Sequence, residues 1–285
     1  MSPKATTFGQ RLATAMASHG PLCVGIDPHP ELLTSWGLPD DAAGLREFAL
    51  RCVSVLGGQV AALKPQSAFF ERHGAAGIAV LEEVLAAARA AGTLTILDVK
   101  RGDIGSTMRG YAEAYLRPEA PLASDAITLS PFLGVHSLQP AVDLAVEHGR
   151  GVFILALTSN PEGAEVQHAR TADGRNIART VVDFARHHND GQQLGSIGLV
   201  VGATIKRAAS DLGIDLAASR APLLAPGVGA QGAGAPELRE VFGTARTAVV
   251  ASTSRAVLRA GPDPDDLLAA AQIASREAAA ALSGQ

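Results

Sequence analysis

The chain has 285 residues, 47% of them hydrophobic, 18% charged and 4% aromatic, with a formal net charge of −4. That apolar share excludes a disordered chain. The mild acidity excludes the basic footprint that sequence-independent binding to a nucleic acid polymer needs. No run of 18 uninterrupted apolar residues occurs, and the opening MSPKATTFGQRLATAM lacks a signal peptide's hydrophobic stretch. A soluble, cytoplasmic protein without membrane association is therefore expected. Cys23 and Cys52 both sit in apolar stretches and read as small core residues, not as a disulfide framework.

In chain order, a helix over roughly Phe8–His19 comes first and is expected to cover the bottom of the fold. Apolar runs of strand length follow at Leu22–Asp27, Gln59–Pro65, Thr93–Lys100 and Ala126–Pro131. Four more lie at Gly151–Thr158, Ile197–Ala203, Pro222–Gly227 and Thr247–Ser252. Each is nearly continuous in apolar residues, as parallel strands buried on both faces are. Helical patterns lie between them, such as Ala75–Ala91, with Leu81, Val84, Leu85 and Ala88 on one face. Thr158–Arg175 is the longest segment without periodicity and follows a strand's C-terminal end. It is either a lid over the active-site face or an ordinary surface insertion. In the last helix, Asp263 is the cap, Pro264 takes the first helical position, and Asp265 and Asp266 suit the positive end of the dipole. Eight strands, each followed by a helix, predict a (β/α)8 TIM barrel built as one domain over residues 1–285. An open doubly wound sheet is the alternative.

The third predicted strand carries charges where apolar residues belong: Asp98, Lys100 and, after Gly102, Asp103. Strand side chains alternate, so Asp98 and Lys100 share one face and Leu97 and Val99 the other. In a barrel the apolar pair meets the helices, which leaves the charged pair in the lumen near the catalytic mouth. Buried ions cost several kcal/mol each unless paired. Asp27 and Lys64 fall at equivalent strand ends, and Asp103 can return toward Lys100 through the Gly102 turn. The array reads as a catalytic electrostatic device rather than a set of structural ion pairs.

Residues 226–232 (PGVGAQG) match GxGxxG formally, but lie in the seventh unit and lack an acid about 20 residues on. Loops after strands seven and eight of a barrel commonly hold phosphate. The N–H groups of Gly227, Gly229 and Gly232, with Arg255 after the eighth strand, therefore point to a phosphorylated small substrate. His73, His136 and His168 are scattered and read as surface or cap residues; Trp36, Phe69 and Phe70 read as packing.

The string Asp98-x-Lys100-x-x-Asp103-Ile104-x-x-Thr107, with KPQSAFFE, LTSNPEG and STSRAV, resembles the orotidine 5′-phosphate decarboxylase family, in its longer bacterial branch (type 2). The resemblance spans essentially the whole chain. It implies conversion of orotidine 5′-monophosphate to UMP and CO2 in pyrimidine synthesis, with neither metal nor organic cofactor. It further implies that Asp27 and Lys64 contact the ribose hydroxyls, Lys64 also belonging to the charged array. By the same resemblance Asp98 would sit beside the substrate carboxylate, and Lys100 would protonate C6. Asp103 would enter from the other subunit of a homodimer, together with Ile104 and Thr107. Thr158 or Ser159 would read the pyrimidine edge, Gln231 would bridge base and phosphate, and Arg255, with Gly227, Gly229 and Ser254, would hold the phosphate. Two rivals are a metal-dependent sugar-phosphate decarboxylase of the same superfamily and a non-catalytic nucleotide-binding barrel.

Overall fold

The computed structural model describes residues 6–228 and 233–283. Eight parallel strands close into a barrel in sequential order: β1 (Leu22–Ile26), β2 (Ala62–Pro65), β3 (Leu94–Arg101), β4 (Ala126–Leu129), β5 (Gly151–Leu157), β6 (Ile197–Val201), β7 (Leu223–Pro226) and β8 (Val249–Thr253). β8 returns to β1 with Leu22 opposite Ala251. The open-sheet alternative is thereby set aside. Two predicted strands start more than one residue too early. Gln59 is still in a turn, its N–H donating to the Leu56 carbonyl, and Thr247 belongs to a 3₁₀ turn over Gly243–Ala248.

Alternation sorts the strand side chains into two apolar sets. Leu63, Leu97, Ile127 and Ile154 join the large core between strands and helices. Cys23, Ala62, Ile96, Ala126, Phe153, Val200, Leu224 and Val250 fill the lower lumen. Both cysteines are buried and free. Two residues further along their strands stand Lys64, Asp98, Thr128 and Ser252, all buried and all lining a cavity at the C-terminal end of the barrel. The lumen thus changes from apolar to polar in one period-two step.

The first helix, α1 (Phe8–His19), starts at a capping box in which Thr7 and Gln10 exchange side-chain and backbone hydrogen bonds. Phe8 and Leu12 complete the lower-lumen cluster, and the Phe8 ring meets Phe153 edge-on at 6.0 Å. Close approach is possible because residue 9 is glycine: a Cβ there would lie 2.2 Å from the Leu194 carbonyl oxygen. The helix Pro264–Ser283 is capped by Asp263, whose Oδ1 accepts from the N–H groups of Asp265 and Asp266 at 2.9 and 3.2 Å. The segment 158–175 is not structureless. It holds a short helix, Gly163–Gln167, and a bridge between Arg170 and Asn176. Among the described residues no helix is long and apolar enough to cross a membrane.

Candidate active site

β3 does not run straight to its end. Leu97 pairs with Ile127 and Arg101 with Leu129, so Asp98, Val99 and Lys100 together face Thr128 alone. This bulge puts Lys100 in a left-handed conformation, with φ +44°, uncommon for a residue with a side chain. Simple alternation is therefore not what brings Lys100 to Asp98. The bulge does so, and Lys100 Nζ lies 2.7 Å from Asp98 Oδ1.

The charges form a row. Asp27 Oδ1 is 3.9 Å from Lys64 Nζ, which is 3.3 Å from Asp98 Oδ2, and Lys100 follows on Oδ1. Asp98 also accepts from Thr128 Oγ1 at 2.7 Å and from Gln66 Nε2 at 2.9 Å, so each carboxylate oxygen has two donors. Burial pushes the Asp98 carboxyl up, but Lys64, Lys100 and the donated hydrogen bonds outweigh it and hold it below the usual carboxylate range. Burial likewise pulls Lys64 down, while Asp27 and Asp98 outweigh it and hold the ammonium above its ordinary value. Lys64 and Asp98 are each 7% exposed, whereas the Lys100 side chain is 48% exposed toward the cavity mouth. The row alternates acid and lysine, each within 4 Å of the next, and its last lysine is accessible from the cavity.

The cavity above the row measures about 650 Å³ and is also lined by Gly227, Ser254 and Arg255. Asp27 Oδ1 and Ser254 Oγ are buried in its wall without a hydrogen-bond partner within the chain. A second cavity of about 800 Å³ adjoins it through Lys100, Leu155, Val200 and Pro226, and is lined by Thr158 and Ser159. The Thr158 hydroxyl donates to Asn160 and accepts from Gln167, both at 2.7 Å, while Gln167 Oε1 accepts from the Thr158 N–H.

Not every predicted residue joins this assembly. Asp103 does not return to Lys100 within the chain. Its Oδ1 accepts from the Ile104 N–H at 2.7 Å, and it lines neither cavity. The reason lies one residue earlier: Gly102 is pressed against β4's end, where a Cβ would meet the Ser130 carbonyl oxygen at 2.3 Å. The Ser130 N–H also donates to the Arg101 carbonyl at 2.8 Å, so the chain is carried outward. Ile104 and Thr107 are exposed beside it. Gly229, Gln231 and Gly232 lie outside the described residues. Sequence reasoning missed Thr128, Gln66 and Gln167. Thr128 had a signal, since it lies two residues beyond a lumen residue, Ala126, as Asp98 lies two beyond Ile96.

A closed parallel barrel with an alternating acid–lysine row at the C-terminal ends of its strands defines a class: the TIM-barrel enzymes. Within that class, the chain belongs to the orotidine 5′-phosphate decarboxylase / HUMPS family, whose model matches residues 20–271. It is 58% identical over 279 residues to an orotidine 5′-phosphate decarboxylase of Salinispora arenicola, covering 98% of this chain and 99% of that protein. It is 57% identical over 266 residues to the Streptomyces coelicolor protein of the same name, covering 93% and 94%. Among solved structures, an OMP decarboxylase from Leishmania donovani superposes with a TM-score of 0.73 at 30% identity, covering 98% of this chain and 99% of that one. A crystal structure from Streptomyces avermitilis, described as a candidate orotidine 5′-phosphate decarboxylase, superposes at 0.93 with 56% identity, covering 99% and 98%.

Proposed function

We propose that the chain decarboxylates orotidine 5′-monophosphate to UMP and CO2 in pyrimidine synthesis. The observation that carries this reading is the alternating acid–lysine row Asp27–Lys64–Asp98–Lys100 under a cavity also lined by Arg255, in a chain 58% identical to a relative of that name. Loss of CO2 breaks the bond from C6 to the carboxylate and leaves the electron pair on C6. A positive charge must stand where that pair develops, and an acid must then supply a proton. Lys100 does both, passing a proton from Nζ to C6. Asp98 orients Lys100 and sets like charge beside the substrate carboxylate, a repulsion relieved as CO2 departs. No metal or organic cofactor is required, because Lys100 itself supplies the charge.

Arg255 forms a bidentate pair with the phosphate, assisted by Ser254, Gly227, Gly229 and Gln231. Asp27 and Lys64 hold the ribose hydroxyls; that Asp27 Oδ1 accepts no hydrogen bond within the chain supports this role. Ser159 reads the pyrimidine edge in preference to Thr158, whose hydroxyl is already engaged in both directions. The active assembly is a cytoplasmic homodimer in which Asp103, Ile104 and Thr107 complete the partner's site. Support comes from the position of Asp103 outside its own cavity and from the exposed apolar residues Ile104, Phe132 and Leu133 on the same face. Residues 1–285 act as one barrel domain with α1 as its lower plug.

The test is the fall in ultraviolet absorbance of orotidine 5′-monophosphate with the purified chain, UMP being identified by chromatography, before and after exhaustive chelation. UMP formation that survives chelation is expected. Absence of UMP, or activity that vanishes on chelation and returns with a divalent ion, overturns the reading.

A further inference from the structure

We propose that Thr128 is a positioning residue for this reaction: its hydroxyl clamps the β3 bulge and thereby aims Lys100 along Asp98. The inference rests on the function proposed above. The hydroxyl has one proton to give, and its direction is determined. Thr128 Oγ1 accepts the Lys100 backbone N–H at 2.9 Å, and an N–H can only donate. The hydroxyl proton therefore goes to Asp98 Oδ1, 2.7 Å away, the same oxygen that holds Lys100 Nζ. One side chain thus grips the backbone of the proton donor and the carboxylate that orients its ammonium group.

The clamp answers a specific deficit. Three residues of β3 face one of β4, so the regular pairing is interrupted at Lys100, and its N–H donates to the Thr128 side chain. Lys100 is also held at φ +44°, a conformation that persists only where its surroundings over-determine it. Thr128 is 1% exposed and β-branched on a strand, so its χ1 is restricted and the hydroxyl is fixed before substrate arrives. Gln66, the other neutral donor, gives its hydrogen bond to Oδ2, the oxygen that does not hold Lys100 Nζ.

The experiment compares wild type, Thr128→Val, which has nearly the same shape without the hydroxyl, and Thr128→Ser, which keeps it. With orotidine 5′-monophosphate as substrate, Thr128→Val is expected to lower kcat about 10- to 100-fold, the range set by loss of a hydrogen bond to a charged group. KM and inhibition by UMP should stay within about threefold, because the Thr128 hydroxyl makes its hydrogen bonds with Asp98 and the Lys100 N–H rather than with the cavity it lines, and Thr128→Ser should restore kcat to within about fivefold. Where the valine variant does not fold, Thr128→Ala removes the same hydroxyl and is read in the same way. An active wild type with wild-type kcat in Thr128→Val overturns the proposal, as does a serine variant as slow as the valine one. An inactive wild type overturns the functional reading itself, and this proposal with it.

Discussion

Asp98 is the residue on which the site's electrostatics converge, with two donors on each oxygen. Its carboxyl is held below the ordinary carboxylate range, so its contribution to stability is present above the unfolded value near 3.9 and is lost as pH falls through the lower folded value. Asp98→Asn leaves Lys64 and Lys100 under-compensated and is expected to cost about 3 kcal/mol at neutral pH. Urea unfolding at a series of pH values should show that gap steady above about pH 5 and narrowing below about pH 4. A gap that widens on acidification would contradict the assignment. Asp98 and Lys64 were legible in the sequence because ions at lumen positions break an apolar, period-two pattern. Thr128 and Gln66 were not singled out, since threonine is an ordinary strand residue and a glutamine beyond a strand end carries no charge anomaly.

At the scale of elements, strand alternation located the barrel's two apolar layers but not the bulge in β3. A bulge depends on register with a partner strand, here Leu97 with Ile127 and Arg101 with Leu129, and one strand's pattern does not contain that information. The segment 158–175 hid its short helix for a similar reason: Gly163–Gln167 buries none of its residues and so leaves no apolar stripe. The first helix, expected over roughly Phe8–His19, lies where the sequence placed it, while its capping box and the packing of Phe8 and Leu12 came only with the structure. Its energetic role follows from packing. Phe8 is fully buried against Phe153, and a Cβ on Gly151 would lie within 2.3 Å of its ring. Phe8→Ala should therefore cost about 3–5 kcal/mol in urea unfolding, with kcat per folded molecule close to wild type because the site lies at the other end of the barrel. An unchanged unfolding midpoint would show that α1 does not close the barrel.

For the whole molecule, the proposed assembly is a homodimer that joins two catalytic faces. Phe132 is 74% exposed and Leu133 55%, in the loop after β4, the strand beside β3, which Ile104 follows. Phe132→Asp should shift sedimentation equilibrium toward the monomer and lower UMP formation in parallel, since an isolated chain leaves its Asp103 outside its own cavity. A stable, fully active monomer would refute the shared site. Mixing two variants, Lys100→Ala and Asp103→Ala, puts the proposed chemistry and the proposed assembly to one test. Each homodimer alone should make almost no UMP. After subunit exchange, half of the molecules are mixed dimers holding one intact site, so the mixture should recover about a quarter of wild-type UMP formation. Near-wild-type activity of either variant alone, or no recovery once exchange is verified by mass-tagged subunits, would contradict the account.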